Sequence, residues 1–349
     1  MSAFFGFLLA AKRKLTLANF KHITVIVQGP VQTLKGREQE AGITQKCLAS
    51  VRQHLPDAKI ILSTWPNQHL SGLDFDELVI SEDPGPNIRS FHRDGSPAYF
   101  NNNRQIVSTL AGLRLASTSY AIKLRSDNLL TGNQFVSIQN RYSHRCESQK
   151  IFRERVVVSN VFTRKYAKGF KVAFHLSDFF YYGLTNDLLA IWDLDLFNDV
   201  TPDQATHAYR LAHGFAIDCT QMFWLETLKK FGDDINLDGL LDNNPTKLKK
   251  SDIYYANNLV IASPEELGLS LGQKFSGPAR IARQKGKCAQ WQLYDWQKVY
   301  REYCDPLFEP DATLLQRLTL HIARLIYVYP TRIETLLKII RRRTKTLGR

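Results

Sequence analysis

Asp127 is the residue whose type and position in this sequence point most directly to chemistry. It ends the stretch YAIKLRSD at 120–127, with Arg125 two residues before it. A divalent cation that binds a nucleotide diphosphate needs hard oxygen ligands, often only one or two carboxylates, with phosphates completing the shell. On a strand Arg125 faces the same side as Asp127, so it could neutralise phosphate or simply pair with the carboxylate. From the residues alone, a metal ligand at Asp127 and an ion pair with Arg125 both remain open.

The segment FHLSDFF at 174–180 contains the candidates for proton transfer. Asp178 could act as a general base if an acceptor hydroxyl group came within reach, and His175 is the competing candidate. On a regular strand His175 and Ser177 share one face and Asp178 lies on the other. The alternative is the polar edge of a buried strand with no catalytic role. Asp218 and Glu226 are further candidate acids in a less informative context.

Two candidate contacts for a nucleotide lie nearer the N-terminus. Gln28, Gly29 and Pro30 end the stretch HITVIVQGP, where the glycine could let the backbone approach a base or a ribose closely. Asp83 lies in the turn SEDPGP and could accept hydrogen bonds from a uracil or a ribose. The alternatives are an ordinary strand-to-loop turn at Gly29 and a local side-chain turn at Asp83.

Arg104 follows three asparagines, Asn101 to Asn103, at the predicted start of a helix. An asparagine suits a helix N-cap. An arginine in the first turn opposes the helix dipole, at a cost of roughly a few tenths of a kcal/mol unless an anion lies nearby. That anion could be a diphosphate, Asp83 or Asp127, and Arg104 is therefore a candidate site residue.

These residues require a sheet that brings the ends of several strands together. Strands are predicted at 22–30, 58–65, 76–86 and 120–127, with helices at 43–56 and 103–116 between them. Later strands are predicted at 155–162 and 173–184, and helices at 185–194, 219–231 and 314–329. Nearly continuous apolar strands separated by helices predict an α/β fold with a mostly parallel sheet. Ligands bind at the carboxyl ends of such strands. The sequence contains neither a glycine-rich dinucleotide fingerprint nor a P-loop motif, which argues against those two kinds of site.

Five stretches of the sequence carry a family resemblance. They are ITVIVQGPVQT, SVRQHLPDAKIILSTW, SEDPGP, NNNRQIVSTLAGLRLASTSYAIKLRSD and FHLSDFFYYG, and they cover roughly 23–184. Together they resemble the WavE-type lipopolysaccharide synthesis family. The resemblance implies a fold similar to the GT-A glycosyltransferases, with a Rossmann-type mostly parallel sheet flanked by helices and a helical C-terminal region. It also implies a role in building bacterial surface polysaccharide.

By position, the resemblance also implies roles for the candidate residues. Gln28 and Asp83 would be nucleotide contacts, Arg104 would lie near the diphosphate, and His175 and Asp178 would lie toward the acceptor. Gly29, Pro30, Arg125 and Asp127 complete the predicted nucleotide-sugar contacts. Asp127 would stand where the GT-A carboxylate binds Mn²⁺ or Mg²⁺. The GT-A class usually shows Asp-x-Asp, whereas this chain has Arg125 at the first position, which leaves room for a cation-free site. A Glu-Gln pair of the family corresponds here to Thr220 and Gln221, so the acid is absent.

The functional prediction is a glycosyltransferase that uses a nucleotide-sugar donor. Its acceptor would be lipopolysaccharide or another surface polysaccharide, as a lipid-linked or core oligosaccharide, at the cytoplasmic face of the inner membrane. Asp178 is the predicted base, with His175 second, and Asp127 the predicted ligand of a divalent cation. One alternative is a metal-independent transferase that uses a CMP-sugar. Another is a non-catalytic GT-A-like assembly protein of the polysaccharide machinery.

The net charge of +13 lies mainly at the two ends of the chain. Residues 1–37 contain six basic residues and no acid, and residues 338–349 contain another six and no acid. A nucleic-acid binder more often carries its excess on a folded face interleaved with aromatics, so no nucleic acid is expected as a partner. Basic ends indicate an anionic membrane surface, at about 1 kcal/mol per Lys or Arg near that surface. The alternative is a solvated basic tail.

Three regions are predicted along the chain. They are an apolar and basic N-terminal segment at 1–21, a GT-A-like domain at 22–305 and a helical region with a basic tail at 306–349. No segment reaches the ~20 apolar residues that a spanning helix needs. The spacing of Ile333, Leu336, Leu337 and Ile340 before three arginines suits an interfacial helix. Five widely spaced cysteines without a CxxC predict neither zinc nor disulfides, and so a reducing cytosol.

Overall fold

The central element of the protein is a seven-stranded sheet. A computed structural model of the chain describes residues 19–32, 41–92, 94–211, 215–272, 275 and 284–347. Most of the predicted N-terminal segment and the last two residues of the predicted basic tail lie outside the described residues.

Thirteen strands form in the described part of the chain. In chain order they are β1 (Ile23–Gln28), β2 (Lys59–Thr64), β3 (Glu77–Ile80), β4 (Asn87–Phe91), β5 (Pro97–Phe100), β6 (Tyr120–Arg125), β7 (Asn128–Leu130), β8 (Val156–Ser159), β9 (Tyr166–Ala167), β10 (Phe170–Lys171), β11 (Tyr181–Leu184), β12 (Leu259–Ala262) and β13 (Leu269–Leu271). The central sheet has the order β12-β8-β11-β6-β1-β2-β3. Its pairs are parallel except those of β11, which runs antiparallel to both β6 and β8. The other strands pair as β4–β5, β7–β13 and β9–β10.

Helices follow or separate most of these strands. They are α1 (Ile43–His54), α2 (Asn102–Leu115), α3 (Gln134–Arg141), α4 (Thr185–Trp192), α5 (Pro202–Leu211), α6 (Cys219–Lys230), α7 (Pro245–Asn258), α8 (Pro264–Leu267), α9 (Gln284–Lys287), α10 (Leu293–Tyr303), α11 (Leu314–Tyr327) and α12 (Pro330–Leu347), with a 3-10 turn at Glu147–Gln149. This mixed α/β architecture, with a helical C-terminal region, confirms the predicted fold class and is consistent with a GT-A-like fold.

The strands predicted from apolar runs form the middle of the sheet. All six residues of β1 are buried, and β6 is buried except at its two ends. Gln28, the last residue of β1, pairs with Ser63 of β2 on one side and with Arg125 of β6 on the other. Because these three strands are parallel, their carboxyl ends meet at one edge of the sheet, as the sequence predicted.

Two predicted strands are shorter than expected. The strand predicted at 76–86 ends at Ile80, and the polar turn after it leads into the separate β4–β5 hairpin. The strand predicted at 173–184 begins only at Tyr181. Phe174 has a left-handed backbone with φ of 56°, and the Ser177 N–H donates to the Thr163 hydroxyl oxygen instead of a sheet partner. The expectation that His175 and Ser177 share one face of a strand was therefore wrong.

Helix α2 packs directly onto β1 and β2. Gly112 makes this close approach possible, because a Cβ at this position would overlap the side chain of Ile26 and lie 3.3 Å from the Cβ of Ser63. Ile26 and Gly112 are both buried. The missing side chain at Gly112 thus lets α2 lie in direct contact with the centre of the sheet.

The C-terminal helices are joined to the rest of the protein through Asp295. This carboxylate, which is 3% exposed, accepts hydrogen bonds from Arg324 of α11 and from Lys165. Burial opposes its charged form, but the two cations outweigh that effect and lower the pKa of Asp295 to about 2. This contact crosses the predicted boundary between residues 305 and 306, which remains a prediction.

Helices α11 and α12 also carry exposed apolar side chains. These are Leu314, Leu315, Leu318, Ile322, Leu325 and Ile326 on α11, and Ile333, Leu336, Leu337 and Ile340 on α12. Within the described residues, no helix has both the length and the apolar character needed to cross a membrane. The five cysteines are free thiols.

Candidate active site

The three asparagines before Arg104 fix the start of α2. Asn101 occupies the N-cap position, but its side-chain oxygen accepts from Arg104 instead of capping the helix backbone. Asn102 exchanges hydrogen bonds with Asn87 at the start of β4. Asn103 bonds both the N–H and the carbonyl of Phe197. The run of asparagines therefore ties the first turn of α2 to two neighbouring segments.

Arg104 forms a two-pronged ion pair with Asp83. Its Nε and Nη2 atoms lie 2.7 and 2.6 Å from the two carboxylate oxygens. These hydrogen bonds lower the pKa of Asp83. The carboxylate also accepts from the N–H of Gly85 at 3.0 Å, which is the local turn considered as an alternative. Asp83 is thus the anion that offsets the unfavourable position of Arg104 in the helix dipole.

Gln28 is held at the carboxyl end of β1 by α2. Its side-chain oxygen accepts a hydrogen bond from the hydroxyl of Ser108 at 2.8 Å. Gly29, which follows, has φ of 116°, and a Cβ there would lie 3.2 Å from the hydroxyl oxygen of Ser126. The same Ser126 hydroxyl donates to the carbonyl of Pro30. A glycine is needed at 29 for both its backbone angle and this close approach.

Arg125 and Asp127 form an ion pair, one of the two arrangements that the sequence left open. The Nε and Nη2 atoms of the guanidinium lie 2.9 and 2.8 Å from the two oxygens of Asp127. The guanidinium also lies 4.8 Å from the ring centroid of Phe179 and 5.5 Å from that of Phe275. Burial disfavours the charged guanidinium, but Asp127 outweighs this effect and raises the pKa of Arg125.

The donor set around Asp127 does not fit a resident divalent cation. Both carboxylate oxygens already accept hydrogen bonds from one guanidinium, so a divalent cation would have to share this carboxylate with a positively charged neighbour. Nor do the described residues include a cluster of three or more His, Cys, Asp or Glu side chains positioned to bind a metal. The predicted role of Asp127 as a metal ligand therefore remains a prediction without support from its geometry.

Asp178 lies beside a buried lysine that the sequence did not single out. The amide of Gln105, on the first turn of α2, donates to a carboxylate oxygen of Asp178. Lys123 of β6 donates to the backbone carbonyl of Asp178 and to the side-chain oxygen of Gln105, the latter at 3.3 Å. Its ammonium also lies 4.5 Å from the ring centroid of Trp192. Burial lowers the pKa of Lys123 to about 7.

His175 lies in the interior, with its ring beside Thr220 of α6. The Thr220 hydroxyl is 3.0 Å from Nδ1, and the residue is 1% exposed. Burial lowers the pKa of His175 to about 4. The Thr220 hydroxyl in turn donates to Asp218, which caps α6 and also pairs with Arg164 at 3.5 Å. Thr220 thus connects His175 to Asp218.

A wide cleft of about 1730 Å³ lies next to these residues. The residues that line it include Arg89, Phe91, Asp218, Cys219, Glu226, Leu336 and Ile340. Burial and the charges of Asp218 and Asp178 together raise the pKa of Cys219, although Asp178 itself does not line the cleft. The cleft is therefore bounded by the start of α6 on one side and by the apolar face of α12 on another.

Helix α2 brings most of the predicted site together. Its residues 104, 105 and 108 contact Asp83, Asp178 and Gln28 respectively. Two buried polar atoms near the same edge, Thr64 Oγ1 and Asn128 Oδ1, have no hydrogen-bond partner among the described residues. Thr64 was expected at this edge as a polar residue at the end of a strand, whereas sequence reasoning missed Asn128, although it follows Asp127 directly.

Comparison with known proteins identifies a family for most of the chain. The family model described as WavE lipopolysaccharide synthesis matches residues 23–329. This match extends beyond the stretch 23–184 that carried the resemblance, through α6, α7 and α10 and across α11. No curated protein matches the sequence. Because the family model covers most of the chain, this protein belongs to the WavE lipopolysaccharide synthesis family.

Proposed function

We propose that this protein is a glycosyltransferase that moves a sugar from a nucleotide-sugar donor to a lipopolysaccharide saccharide or another surface-polysaccharide acceptor. The observation that carries the proposal is the arrangement on α2. Three of its residues hold Asp83, Asp178 and Gln28 at one edge of a mostly parallel sheet. Such an edge is where open α/β sheets bind their ligands.

The donor would bind at the ends of β1, β2 and β6. The turn at Gly29 carries no side chain, and beside it Gln28 pairs with Ser63 of β2 and with Arg125 of β6. Asp83 presents a carboxylate of lowered pKa that stays charged at neutral pH and could accept from a ribose hydroxyl. Arg104 and Arg125 supply the cationic groups for the phosphates.

In the transfer step, Asp178 would accept the proton. The oxygen of an acceptor hydroxyl forms a bond to the anomeric carbon of the donor sugar. The bond from that carbon to the phosphate oxygen breaks, and its electron pair leaves with the nucleotide. The hydroxyl proton passes to the carboxylate of Asp178, which needs no other group if the configuration is inverted. His175 is less suited, because its nitrogens face Thr220 and it is almost fully buried.

The acceptor would occupy the cleft between α6 and α12. Asp178 does not line the cleft, so the proposal requires the acceptor hydroxyl to extend past Cys219 toward this carboxylate. Arg89 lines the cleft, and within the described residues no carboxylate pairs with it, so its guanidinium is available to donate to acceptor oxygens. Leu336 and Ile340 supply an apolar wall suited to the lipid part of a lipid-linked acceptor.

The protein would act at the cytoplasmic face of the inner membrane through its C-terminal helices. The apolar contact would come from six exposed residues of α11 and from Ile333 and Leu337 of α12. Basic residues, including Lys338 and Arg341, follow or lie within the same region. Apolar insertion combined with cationic contacts is how interfacial helices bind anionic bilayers.

A panel of nucleotides tests the donor proposal. UDP, GDP, ADP and CMP would each be added to the full-length protein while its thermal unfolding is followed. One of them should raise the unfolding temperature by several degrees, because a ligand at 100 times its dissociation constant adds about 2.7 kcal/mol of stability. The matching nucleotide-sugars would then be tested for turnover with a saccharide acceptor. If none of the nucleotides stabilises the protein, the donor proposal fails and a non-catalytic assembly role gains support.

A CMP-sugar donor is the second candidate. The ion pair between Arg125 and Asp127 favours it, because a donor with one phosphate needs less cationic neutralisation than a diphosphate. Preferential stabilisation by CMP over the diphosphates would select this candidate.

A further inference from the structure

We propose that Arg125 binds the donor phosphates directly and replaces a divalent cation at this site, with Asp127 acting to position the guanidinium. The inference rests on the proposed donor site at the edge of the sheet. It departs from the metal-bound arrangement that an aspartate at 127 suggested.

The guanidinium of Arg125 has donors left for a ligand. Arginine has five N–H groups, and Asp127 takes two of them. The other three make no hydrogen bond within the described part of the chain. Because an arginine stays protonated in proteins, these groups are available as charged donors at any physiological pH. Charged N–H donors on a planar fork match the oxygens of a phosphate.

Arg125 is the more exposed member of the pair. The side chain of Arg125 is 21% exposed, whereas that of Asp127 is 9% exposed. A phosphate from solvent therefore has better access to the side chain of Arg125 than to the carboxylate of Asp127. A metal ion would need the reverse, with the carboxylate oxygens accessible and the cationic side chain withdrawn.

Aromatic rings restrict the guanidinium to this position. The ring centroids of Phe179 and Phe275 lie 4.8 and 5.5 Å from it. Arginine stacks well on aromatic faces, and such contacts hold its plane without using its N–H groups. With two bonds to Asp127 and these ring contacts, the free edge of the guanidinium is held in place before a ligand arrives. This preorganisation is what a phosphate site needs.

Titration calorimetry of the full-length protein separates the two arrangements. The panel nucleotide that stabilises the protein would be titrated in EDTA and again with saturating Mn²⁺. We expect binding in EDTA with little change on adding Mn²⁺. Arg125→Gln should weaken this binding about ten- to a hundredfold, the range for hydrogen bonds to charged groups. Arg125→Lys should give an intermediate loss, because it keeps the charge but not the fork.

Two further variants complete the test. Arg114→Gln changes an exposed arginine in the last turn of α2, paired with Asp193, and should leave the affinity unchanged. Asp127→Asn should retain binding in EDTA with a modest loss, since an amide oxygen still accepts from Arg125. Binding that requires Mn²⁺ and disappears in Asp127→Asn would overturn the inference and leave the proposed function standing. Absence of binding under every condition would overturn both.

Discussion

Asp178 accepts two hydrogen bonds, one at its carboxylate and one at its backbone carbonyl. Gln105 holds one carboxylate oxygen, and Lys123 holds the carbonyl of the same residue. The side chain is thus fixed in orientation, while its other carboxylate oxygen makes no hydrogen bond among the described residues. A fixed carboxylate with an available lone pair is what a general base requires.

Asp178→Asn should lower the turnover number about 10²- to 10⁴-fold, the usual contribution of a general base. The affinity for the nucleotide should stay the same, because the amide keeps the shape and Asp178 does not contact the donor phosphates in this proposal. Steady-state kinetics and titration calorimetry measure the two quantities separately. Asp193→Asn, which alters an exposed carboxylate, is the matched control. Unchanged turnover in Asp178→Asn would remove it as the base and direct attention to His175.

Lys123 makes stability depend on pH. Its pKa falls from an ordinary 10.5 to about 7 because burial disfavours the ammonium. The unfolded chain therefore binds more protons than the folded protein between those two values, and stability rises with pH across that interval. The penalty for burying the ammonium is fully present below pH 7 and amounts to about 5 kcal/mol at most.

Lys123→Met should remove this pH dependence. Relative to the unaltered protein, the variant gains most stability below pH 7, and its advantage shrinks as the pH rises toward 10.5. Urea unfolding at several pH values gives the difference directly. Lys249→Met, at an exposed position of α7, should leave the pH profile of the unaltered protein in place. A constant difference between Lys123→Met and the unaltered protein would contradict the assigned burial effect.

The sequence could predict the partner of a site residue only where one charged group needed an opposite charge and few candidates were available. The sequence identified Arg104 as a cation in need of an anion and included Asp83 among three candidates, and Asp83 is the partner. Lys123 could not be assigned in the same way. It stands in an apolar strand, but its partners Gln105 and Asp178 come from a helix and an irregular segment whose positions depend on the tertiary fold.

At the scale of elements, α2 is the helix on which the site depends. Gly112→Ala should destabilise the protein by roughly 1–3 kcal/mol, because the added methyl group overlaps Ile26 and pushes α2 away from β1. This effect has the opposite sign to the ~1 kcal/mol that alanine normally gains over glycine in a helix. Nucleotide affinity should fall as well, since residues 104 and 108 move with the helix.

Ala111→Gly on the same helix is the control for α2. It should cost about 1 kcal/mol through helix propensity alone and leave nucleotide affinity unchanged. Urea unfolding and titration calorimetry on both variants provide the comparison. A Gly112→Ala protein that is more stable than the unaltered one would show that α2 does not depend on this contact.

The regular elements were predictable where one pattern dominated. Apolar runs identified β1, β2 and β6, and the apolar face of 103–116 identified α2. The segment 173–180 was read as a strand because it is rich in aromatic and apolar residues. Those side chains are indeed buried, but the left-handed backbone at Phe174 and the bond from Ser177 to Thr163 prevent sheet pairing. A run of apolar residues that become buried therefore could not distinguish a sheet strand from this irregular segment.

At the scale of the whole molecule, the exposed apolar residues of α11 and α12 are the predicted membrane contact. Leu318→Glu should weaken binding to vesicles that contain anionic lipids by about tenfold, the effect of losing one partly inserted leucine. Because Leu318 is 52% exposed, the change should leave the fold intact. Co-sedimentation with vesicles measures binding, and circular dichroism checks the fold.

Leu196→Glu provides the control for the membrane prediction. This residue is similarly exposed, at 46%, but lies away from α11 and α12 in the sequence, so its replacement should not change vesicle binding. Raising the salt concentration should weaken binding by the unaltered protein, since the cationic part of the attraction is screened. Vesicle binding equal in Leu318→Glu and the unaltered protein would count against α11 as the contact.

The shared carboxylate of Asp295 determines how the protein can be shortened for laboratory use. A chain cut at residue 305 would lose Arg324 and leave Asp295 buried with Lys165 as its remaining partner. Removing one member of a buried charged group typically costs roughly 3–5 kcal/mol. The same cut would also remove the α12 wall of the cleft. A more soluble version for crystallisation is therefore better obtained by replacing the outward leucines of α11 with polar residues than by removing the helix.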